Sequence, residues 1–351
     1  MSNNRLRIGI AGYGVVGKRR RQFIDTRGDM TTIAVSDATY SDDGHHGDGT
    51  LYFSDFRKLA DCDLDALFVC LPNDVAPAAT IMGLERGFHV FCEKPPGRTV
   101  ADIERVRSVE AKYPTLRLKY GFNHRYHDSV RKALSVIRSG ELGRVVNMRG
   151  VYGKSKFVSF GAHSDWRTNR KIAGGGILLD QGLHMVDLMR LFAGEFETIH
   201  SFISNEYWGH NVEDNAYAIM RTGDGIVAML HSSATQWRHR FQLDITLAKG
   251  ALSLSGILSG SKSYGEETLT LTIADPTDDT GDPKEILSTY DDDPSWADEI
   301  AEFVQAIRHG ADILNGSSKD ALLTMRLVER IYNADPTWSD RWNRSDEKLG
   351  G

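Results

Sequence analysis

The sequence predicts an α/β protein in two parts, a parallel sheet covered by helices followed by a β-rich part with antiparallel pairing. Up to about residue 122, short apolar runs alternate with stretches of helical periodicity, which is typical of a doubly wound parallel sheet. Later β-rich segments are joined by hairpin-turn sequences at 222–225 and 249–250, which indicate antiparallel strands. We therefore assign residues 1–122 to a first domain and residues 123–351 to a second.

The first strand, at residues 6–11, leads into a glycine-rich turn. The turn has the pattern Gly-x-Gly-x-x-Gly and consists of Gly12, Tyr13, Gly14, Val15, Val16 and Gly17. A helix follows, and a second strand over 31–36 ends in Asp37. These separations predict a βαβ unit that binds a dinucleotide, because glycines let the backbone approach a pyrophosphate whose charge the helix N-terminus stabilises. Asp37 would bind the adenine-ribose hydroxyls and repel a 2′-phosphate, which favours NAD over NADP.

The next strands end in polar residues. The strand at 65–71 stops at Pro72-Asn73, and the strand at 88–92, reached through a helix near 75–86, is followed by Glu93-Lys94-Pro95. Since the carboxyl ends of parallel strands line the ligand crevice, Lys94 is expected beside the cofactor; the alternative is a solvated lysine at a strand end. A helix at 100–113 and a strand at 116–120 close this part. The three arginines of the first helix, Arg19, Arg20 and Arg21, are expected at the surface.

A second group of candidates follows three glycines at 174–176. Asp180 and His184 are four residues apart, so they share one face if this apolar segment is helical. The pair suits proton transfer; the alternative is a buried Asp–His pair with a structural role. A helix at 128–139 precedes them and a helical tail covers 295–334. The β-rich segments of this part are 144–153, 198–208, 214–222, 225–237, 241–248 and 251–258.

Composition excludes several classes of protein. The formal net charge of −6 over 351 residues argues against general nucleic-acid binding, which needs a basic face. The sequence has no apolar run long enough to span a membrane and no room for a signal peptide before the first strand. We therefore expect a cytoplasmic protein with reduced cysteines and no metal site, since His45 and His46 have no third ligand nearby.

Taken together, these residues resemble the glucose–fructose oxidoreductase / inositol dehydrogenase / MocA-like family over nearly the whole chain. The resemblance implies a Rossmann domain followed by an α/β domain on a large, open, mostly antiparallel sheet. One departure is Ala76, which stands where members often carry a histidine. The segments that carry the resemblance are 12–17, Asp37, Leu71-Pro72-Asn73, Cys92-Glu93-Lys94-Pro95, Trp166-Arg167, the glycines at 174–176 with Asp180 and His184, and 212–216.

The resemblance further implies an NAD-dependent oxidoreductase that exchanges a hydride between nicotinamide and a carbinol carbon of a sugar, polyol or nucleotide sugar. His184 would be the general base or acid, Lys94 would hold the reacting oxygen, and Asp180 would orient the substrate or tune the histidine. A dinucleotide-binding regulator or sensor, or an NAD-using lyase or glycosidase, is the alternative. The implied cofactor site comprises Gly12, Tyr13, Gly14, Val15, Val16, Gly17, Asp37, Leu71, Pro72, Asn73, Glu93, Lys94, Trp166 and Arg167. The implied substrate site comprises Lys94, Asn123, Arg167, Asp180, His184 and Trp237.

Two further expectations concern what the protein binds. Basic residues near the glycine-rich segment would either hold a phosphate or carboxylate or form an ordinary solvated face. These are Lys154, Lys156, Arg167, Arg170 and Lys171. The second face of an open antiparallel sheet needs a cover, so we also expect a homodimer or homotetramer.

Overall fold

The computed structural model of the chain describes residues 5–158, 165–259, 263–275, 277 and 281–340. The first part alternates strands and helices as the sequence predicts. Its elements are β1 (Leu6–Ala11), α1 (Val15–Asp25), β2 (Met30–Ser36), β3 (Gly44–His45), β4 (Leu51–Phe53), β5 (Ala66–Val69), α2 (Ala76–Glu85), β6 (His89–Cys92), α3 (Val100–Glu110) and β7 (Leu118–Tyr120). The strands form one sheet in the order β3-β4-β2-β1-β5-β6-β7, parallel except for the β3–β4 pair. This confirms the doubly wound parallel sheet.

The second part is built on a larger sheet. Its elements are α4 (Asp128–Ser139), β8 (Val145–Gly153), α5 (Arg170–Ala173), α6 (Leu183–Ala193), β9 (Phe196–Ser204), β10 (Asn215–Thr222), β11 (Val227–Ser233), β12 (Arg240–Leu247), β13 (Gly250–Ser255), β14 (Glu267–Ile273), β15 (Lys284–Tyr290), α7 (Ser295–His309) and α8 (Ser318–Asn333). The order is β15-β14-β13-β12-β8-β11-β10-β9, and only the β8–β11 pair of these strands is parallel. The predicted open, mostly antiparallel sheet is therefore confirmed.

Helix α7 completes the core of the first sheet, although it belongs to the segment assigned to the second domain. Ile300, Phe303 and Val304 share one apolar cluster with residues of β1, β5 and β6. The Phe303 ring meets those of Phe68 and Phe91 edge-on, with centroids 5.8 and 5.6 Å apart. The domain boundary near residue 122 stays a prediction, but the core of the first sheet depends on chain from beyond it.

Arg20 is 0% exposed, so the expectation that it lies at the surface is wrong. Its Nε donates to Oε1 of Glu93 at 2.6 Å, and its Nη2 donates to Oε2 of Glu299 on α7 at 2.7 Å. The guanidinium also lies 4.2 Å from the ring centroid of Trp296. Burial of an arginine is tolerated here because two carboxylates offset the cost of removing its charge from water.

The two faces of the second sheet differ. One face packs against α6 and α8, with Met185 and Met189 of α6 lying close to Gly150 in β8. The other face carries large apolar side chains that the described residues leave exposed, with Phe202 77% exposed. The other members of this outer face are Tyr217, Ile219, Val227, Met229 and Leu287. Within the described ranges, no helix has the length and apolar character needed to cross a membrane.

Candidate active site

The glycine-rich turn between β1 and α1 has the geometry of an anion-binding turn. Gly12 has a φ of +90°, and a Cβ atom there would collide with the main-chain oxygen of Cys70. The N-cap of α1 is Gly14, which supplies no side-chain hydrogen bond to the helix. The first N–H groups of the helix therefore remain available to a phosphate, and the following Val15 is exposed. These residues fit the pyrophosphate of a dinucleotide.

Asp37 lies at the carboxyl end of β2, beside the same turn. Its Oδ2 accepts a hydrogen bond from the main-chain N–H of Tyr13 at 3.0 Å. Its Oδ1 accepts from the N–H and the hydroxyl of Thr39 at 3.0 and 2.7 Å. These hydrogen bonds fix the Asp37 carboxylate beside the N-terminus of α1, where a pyrophosphate would bind. A carboxylate at this place can bind the hydroxyls of the adenine ribose.

The Pro72-Asn73 turn joins the two parts of the molecule. The main-chain oxygen of Pro72 accepts from the N–H groups of Val75 and Ala76 at 3.0 and 2.9 Å, which starts α2. Asn73 is buried, and its amide donates to the main-chain oxygen of Ala173 at 2.7 Å. The Asn73 side chain therefore holds the glycine-rich segment against the first sheet. Ala76, the departure from the family pattern, is buried at the first position of α2.

Glu93 and Lys94 follow β6 but serve different partners. Glu93, expected at the cofactor, is held by the buried Arg20. The Lys94 ammonium donates to the main-chain oxygen of Asp180 at 2.5 Å and lies 3.8 Å from its Oδ1. Nε of Arg167 lies 3.6 Å from the same Oδ1, and its guanidinium lies 4.3 Å from the ring centroid of Trp166. The structure thus brings Lys94, Arg167 and Asp180 into one charged cluster.

Burial and charge oppose each other in this cluster. Burial lowers the pKa of Lys94; the Asp180 charge counteracts that effect, and the Arg167 charge reinforces it. Burial alone would raise the pKa of Asp180, but Lys94 and Arg167 more than offset it and leave that pKa below its usual range. Asp180 is therefore an anion, and Lys94 is a cation with a weakened hold on its proton.

The segment with the three glycines contains a π-helical turn at Leu178–Gly182 before α6 begins. This differs from the continuous helix assumed in the sequence analysis. Glu213 holds the turn, because its carboxylate accepts from the N–H groups of Gly176 and Leu178 at 2.7 and 2.9 Å and from the Tyr332 hydroxyl at 2.7 Å. A Cβ at Gly176 would collide with the main chain of Glu213, which explains the glycine. Burial raises the pKa of Glu213 to about 7 in spite of these donors.

His184, on α6, stacks on His124 with ring centroids 3.7 Å apart and planes 12° apart. Its Nδ1 is buried and, in the part of the chain that the structure describes, has no hydrogen-bond partner. Burial, the neighbouring His124 and the charge of Lys94 hold the pKa of His184 well below its usual range. Asp180 bonds to Gln181 and approaches Lys94 and Arg167, not His184. The expected Asp–His pair is therefore a neutral imidazole and a carboxylate with separate partners.

His124 has a defined tautomer. Its Nδ1 lies 3.1 Å from the side-chain oxygen of Asn123, whose amide nitrogen donates to the Ser295 hydroxyl at 3.2 Å. An amide oxygen only accepts, so Nδ1 of His124 carries the hydrogen. Its Nε2 then accepts from the Tyr152 hydroxyl, 3.1 Å away. Asn123, expected at the substrate, is thus bonded to His124.

Several residues at this site were missed or left undecided by sequence reasoning. His124 follows β7, so the strand-end rule that selected Lys94 would also have selected it. Tyr152 and Tyr264 lie with ring centroids 5.4 Å apart, and the Lys154 ammonium lies 5.4 Å from the Tyr264 centroid. Nothing in the sequence pairs these residues, because they lie on β8 and in a distant loop. Trp237, expected at the substrate, is 71% exposed and contacts Tyr207.

Comparison with models of protein families identifies the family of this chain. Residues 6–120 match the model described as an oxidoreductase family with an NAD-binding Rossmann fold. Residues 130–253 match the GFO/IDH/MocA C-terminal domain. The chain belongs to the glucose–fructose oxidoreductase / inositol dehydrogenase / MocA-like family. It is accordingly an NAD-binding oxidoreductase, which confirms the resemblance, the enzyme class and the cofactor inferred from the sequence.

Curated members of the family align over much of the chain. D-glucoside 3-dehydrogenase of Escherichia coli is 27% identical over 66% of this chain and 71% of its own length. Inositol 2-dehydrogenase of Rhizobium meliloti is 25% identical over 92% and 95%. A solved structure of levoglucosan dehydrogenase in complex with NADH superposes with a TM-score of 0.81 at 18% identity, covering 95% of this chain and 98% of that one. That structure supports the fold assignment.

Proposed function

We propose that this protein uses NAD to interconvert a CH–OH group and a carbonyl on a sugar or polyol. The single observation that carries the proposal is the contact of Lys94 with Asp180 near a buried His184, whose imidazole is affected by the Lys94 charge. The relatives support the substrate class, since they are named as dehydrogenases of glucosides, inositol and xylose. NAD, when bound, supplies the hydride acceptor; the protein positions the alcohol and handles its proton.

Lys94 is the residue that holds the reacting oxygen. An ammonium has three N–H donors, and among the described residues Lys94 directs one of them to the Asp180 main chain. The others are left to bind the substrate oxygen and to stabilise negative charge as it develops there. Asp180 keeps the ammonium in place through both its main-chain oxygen and its carboxylate.

His184 is the group that takes the hydroxyl proton during oxidation. A general base must be unprotonated before the reaction, and the lowered pKa of His184 secures this at neutral pH. In the reverse direction the same ring returns the proton to the oxygen. His124 orients the ring by stacking on it, and Asn123 and Tyr152 fix His124 in turn.

The assembly and location of the enzyme are part of the proposal. The exposed apolar face formed by β9, β10 and β11 supports a homodimer or homotetramer in which a second copy covers it. Cys62, Cys70 and Cys92 are all free thiols, which supports a reducing compartment such as the cytoplasm.

The experiment that tests the activity is a panel of sugars, polyols and nucleotide sugars with NAD, followed by NADH absorbance. Turnover of at least one sugar or polyol, strongly reduced in Lys94→Met, is the expected result. NAD binding without oxidation or reduction of any panel member would refute the enzyme proposal.

A further inference from the structure

Lys154 is a lysine at the site whose charge no described residue neutralises by an ion pair or hydrogen bond. It follows β8 directly, and its main chain is fixed on both sides. Its N–H donates to the Ser233 oxygen, and its own oxygen accepts from the Gln236 N–H, both at 2.8 Å. The strand end therefore presents this side chain at a defined place over the Tyr264 ring.

The pKa of Lys154 is affected by the charges of the catalytic cluster. Burial lowers the pKa of its ammonium; the Asp180 charge opposes this, while Lys94 and Arg167 reinforce it. Lys154 also lowers the pKa of His239, although burial has the larger effect on that imidazole. His239 is bonded to Ser155 and Ser263 at 3.1 and 2.8 Å. Geometry links Lys154 to the site through two tyrosines: the Tyr264 ring beneath its ammonium lies 5.4 Å from the Tyr152 ring between centroids, and the Tyr152 hydroxyl bonds to His124.

Lys154 differs from the other two cations of this cluster. Among the described side chains, the Asp180 carboxylate approaches Lys94 and Arg167, whereas Lys154 makes no ion pair. A partly buried cation without a counter-ion costs free energy, which an anion brought by the ligand would recover.

Resting on the proposed function, we infer that the substrate carries a carboxylate or phosphate group and that Lys154 binds it. The reacting CH–OH lies at Lys94 and His184, and the anionic group lies on the side of the same molecule that faces β8. Lys154 would then determine specificity, because a neutral sugar leaves its charge unpaired.

Binding to the NADH complex tests this inference by calorimetry. The ligands are D-glucose, D-glucuronate, D-glucose 6-phosphate and D-glucose 1-phosphate, which share one ring and separate the carboxylate from the phosphate. We expect at least one anionic ligand to bind on the order of 10- to 100-fold more tightly than glucose, since charge-assisted hydrogen bonds are stronger than neutral ones. Lys154→Met should remove that preference and Lys154→Arg should retain much of it.

The control is Lys249→Met, which removes an exposed lysine from the turn between β12 and β13 and should leave the preference intact. NAD affinity should be equal in all variants, because Lys154 is assigned to the substrate. If glucose binds as tightly as every anionic ligand, or if Lys154→Met weakens all ligands equally, the inference is overturned. Oxidation of neutral sugars alone would overturn the inference about Lys154 but support the proposed oxidoreductase function. Tight anion binding without turnover would support the inference about Lys154 but contradict the proposed function.

Discussion

The imidazole rings of His124 and His184 are stacked face to face, 3.7 Å apart between centroids. Two protonated imidazoles cannot share this contact, because like charges at such a distance repel strongly in a buried site. Burial and the neighbouring His124 hold the pKa of His184 well below the usual histidine range, and burial, with His127 and Lys94 nearby, does the same for the pKa of His124. The stack therefore keeps the proposed base neutral in weak acid as well as at neutral pH.

This pair predicts the pH dependence of the enzyme. For a histidine whose pKa is lowered by folding, the neutral imidazole persists as the pH falls through the ordinary histidine pKa of about 6.5. We expect kcat/KM for oxidation to stay constant through that value and to fall only at lower pH. His124→Ala admits water to His184, raises its pKa and should move this acid limb towards pH 6.5.

His184→Ala should lower the rate by roughly 10²–10⁴, because it removes the proposed general base.

A matched control is His231→Ala, which removes a histidine stacked on Tyr217 in the second sheet. It should leave the pH profile of steady-state rates unchanged. An acid limb that stays in place in His124→Ala would contradict the role given to the stack, and full activity of His184→Ala would contradict its role as the base.

Replacement of Lys94 should affect the chemistry more than cofactor binding. Lys94→Met keeps the length of the side chain but removes the charge that stabilises the reacting oxygen. We expect kcat to fall on the order of 10²–10³, with NAD affinity measured by fluorescence titration largely unchanged. The exposed Lys171→Met serves as the control. Equal losses of kcat and NAD affinity in Lys94→Met would show that the residue binds the cofactor instead.

Asp37 should set the preference for NAD over NADP. Asp37→Ser removes a carboxylate that would lie beside a 2′-phosphate, so the ratio of the two dissociation constants should narrow by about tenfold or more. Asp42→Ser, in the exposed loop that follows, should not change the ratio. Titration of the native protein with NAD and with NADP gives the two dissociation constants. The prediction fails if NADP binds more tightly than NAD.

Arg20 should matter for stability. Arg20→Met leaves the buried Glu299 and the half-buried Glu93 without their shared cation, and breaking such a pair costs about 3–5 kcal/mol of the free energy of unfolding. Urea denaturation measures this loss. Lys18→Met, at an exposed position of the same helix, is the comparison. A loss no larger than that of the Lys18 variant would show that the two carboxylates find other partners.

The outer face of the second sheet should mediate self-association. We expect light scattering at micromolar concentration to give the mass of a dimer or tetramer, and Phe202→Arg to reduce it towards the monomer. Leu314→Arg changes a residue that is also exposed, at 79%, but lies outside the sheet, so it should not alter the mass. A monomeric native protein would remove the basis for this assembly.

Much of the fold follows from local patterns in the sequence. The order of the first sheet depends on strand–turn–helix signals, and α4 begins and ends as predicted, at Asp128 and Ser139. The predicted strand at 198–208 ends at Ser204. Strand β15 was not predicted, because it is largely exposed and has no apolar alternation to mark it. Strand β14 was also missed, although Leu269, Leu271 and Ile273 alternate with threonines along it.

The site was predictable where chemistry lies on one local motif and unpredictable where it depends on distant partners. Lys94 and Asp180 were selected from strand-end and glycine-rich patterns, and the structure brings them together. The burial of Arg20 depends on Glu299, which no local rule links to the first helix. Likewise the π turn before α6 depends on the Glu213 carboxylate, so helical periodicity alone could not reveal it.

The return of α7 to the first sheet has a consequence for synthesis on the ribosome. The dinucleotide-binding strands emerge early, yet the helix that covers Ile8, Ile10, Phe68 and Phe91 is made only after all strands of the second sheet. Until then these side chains have no permanent cover, so the nascent first part is exposed to aggregation or to binding by chaperones. A gene fragment that ends near residue 122 would carry the same defect permanently.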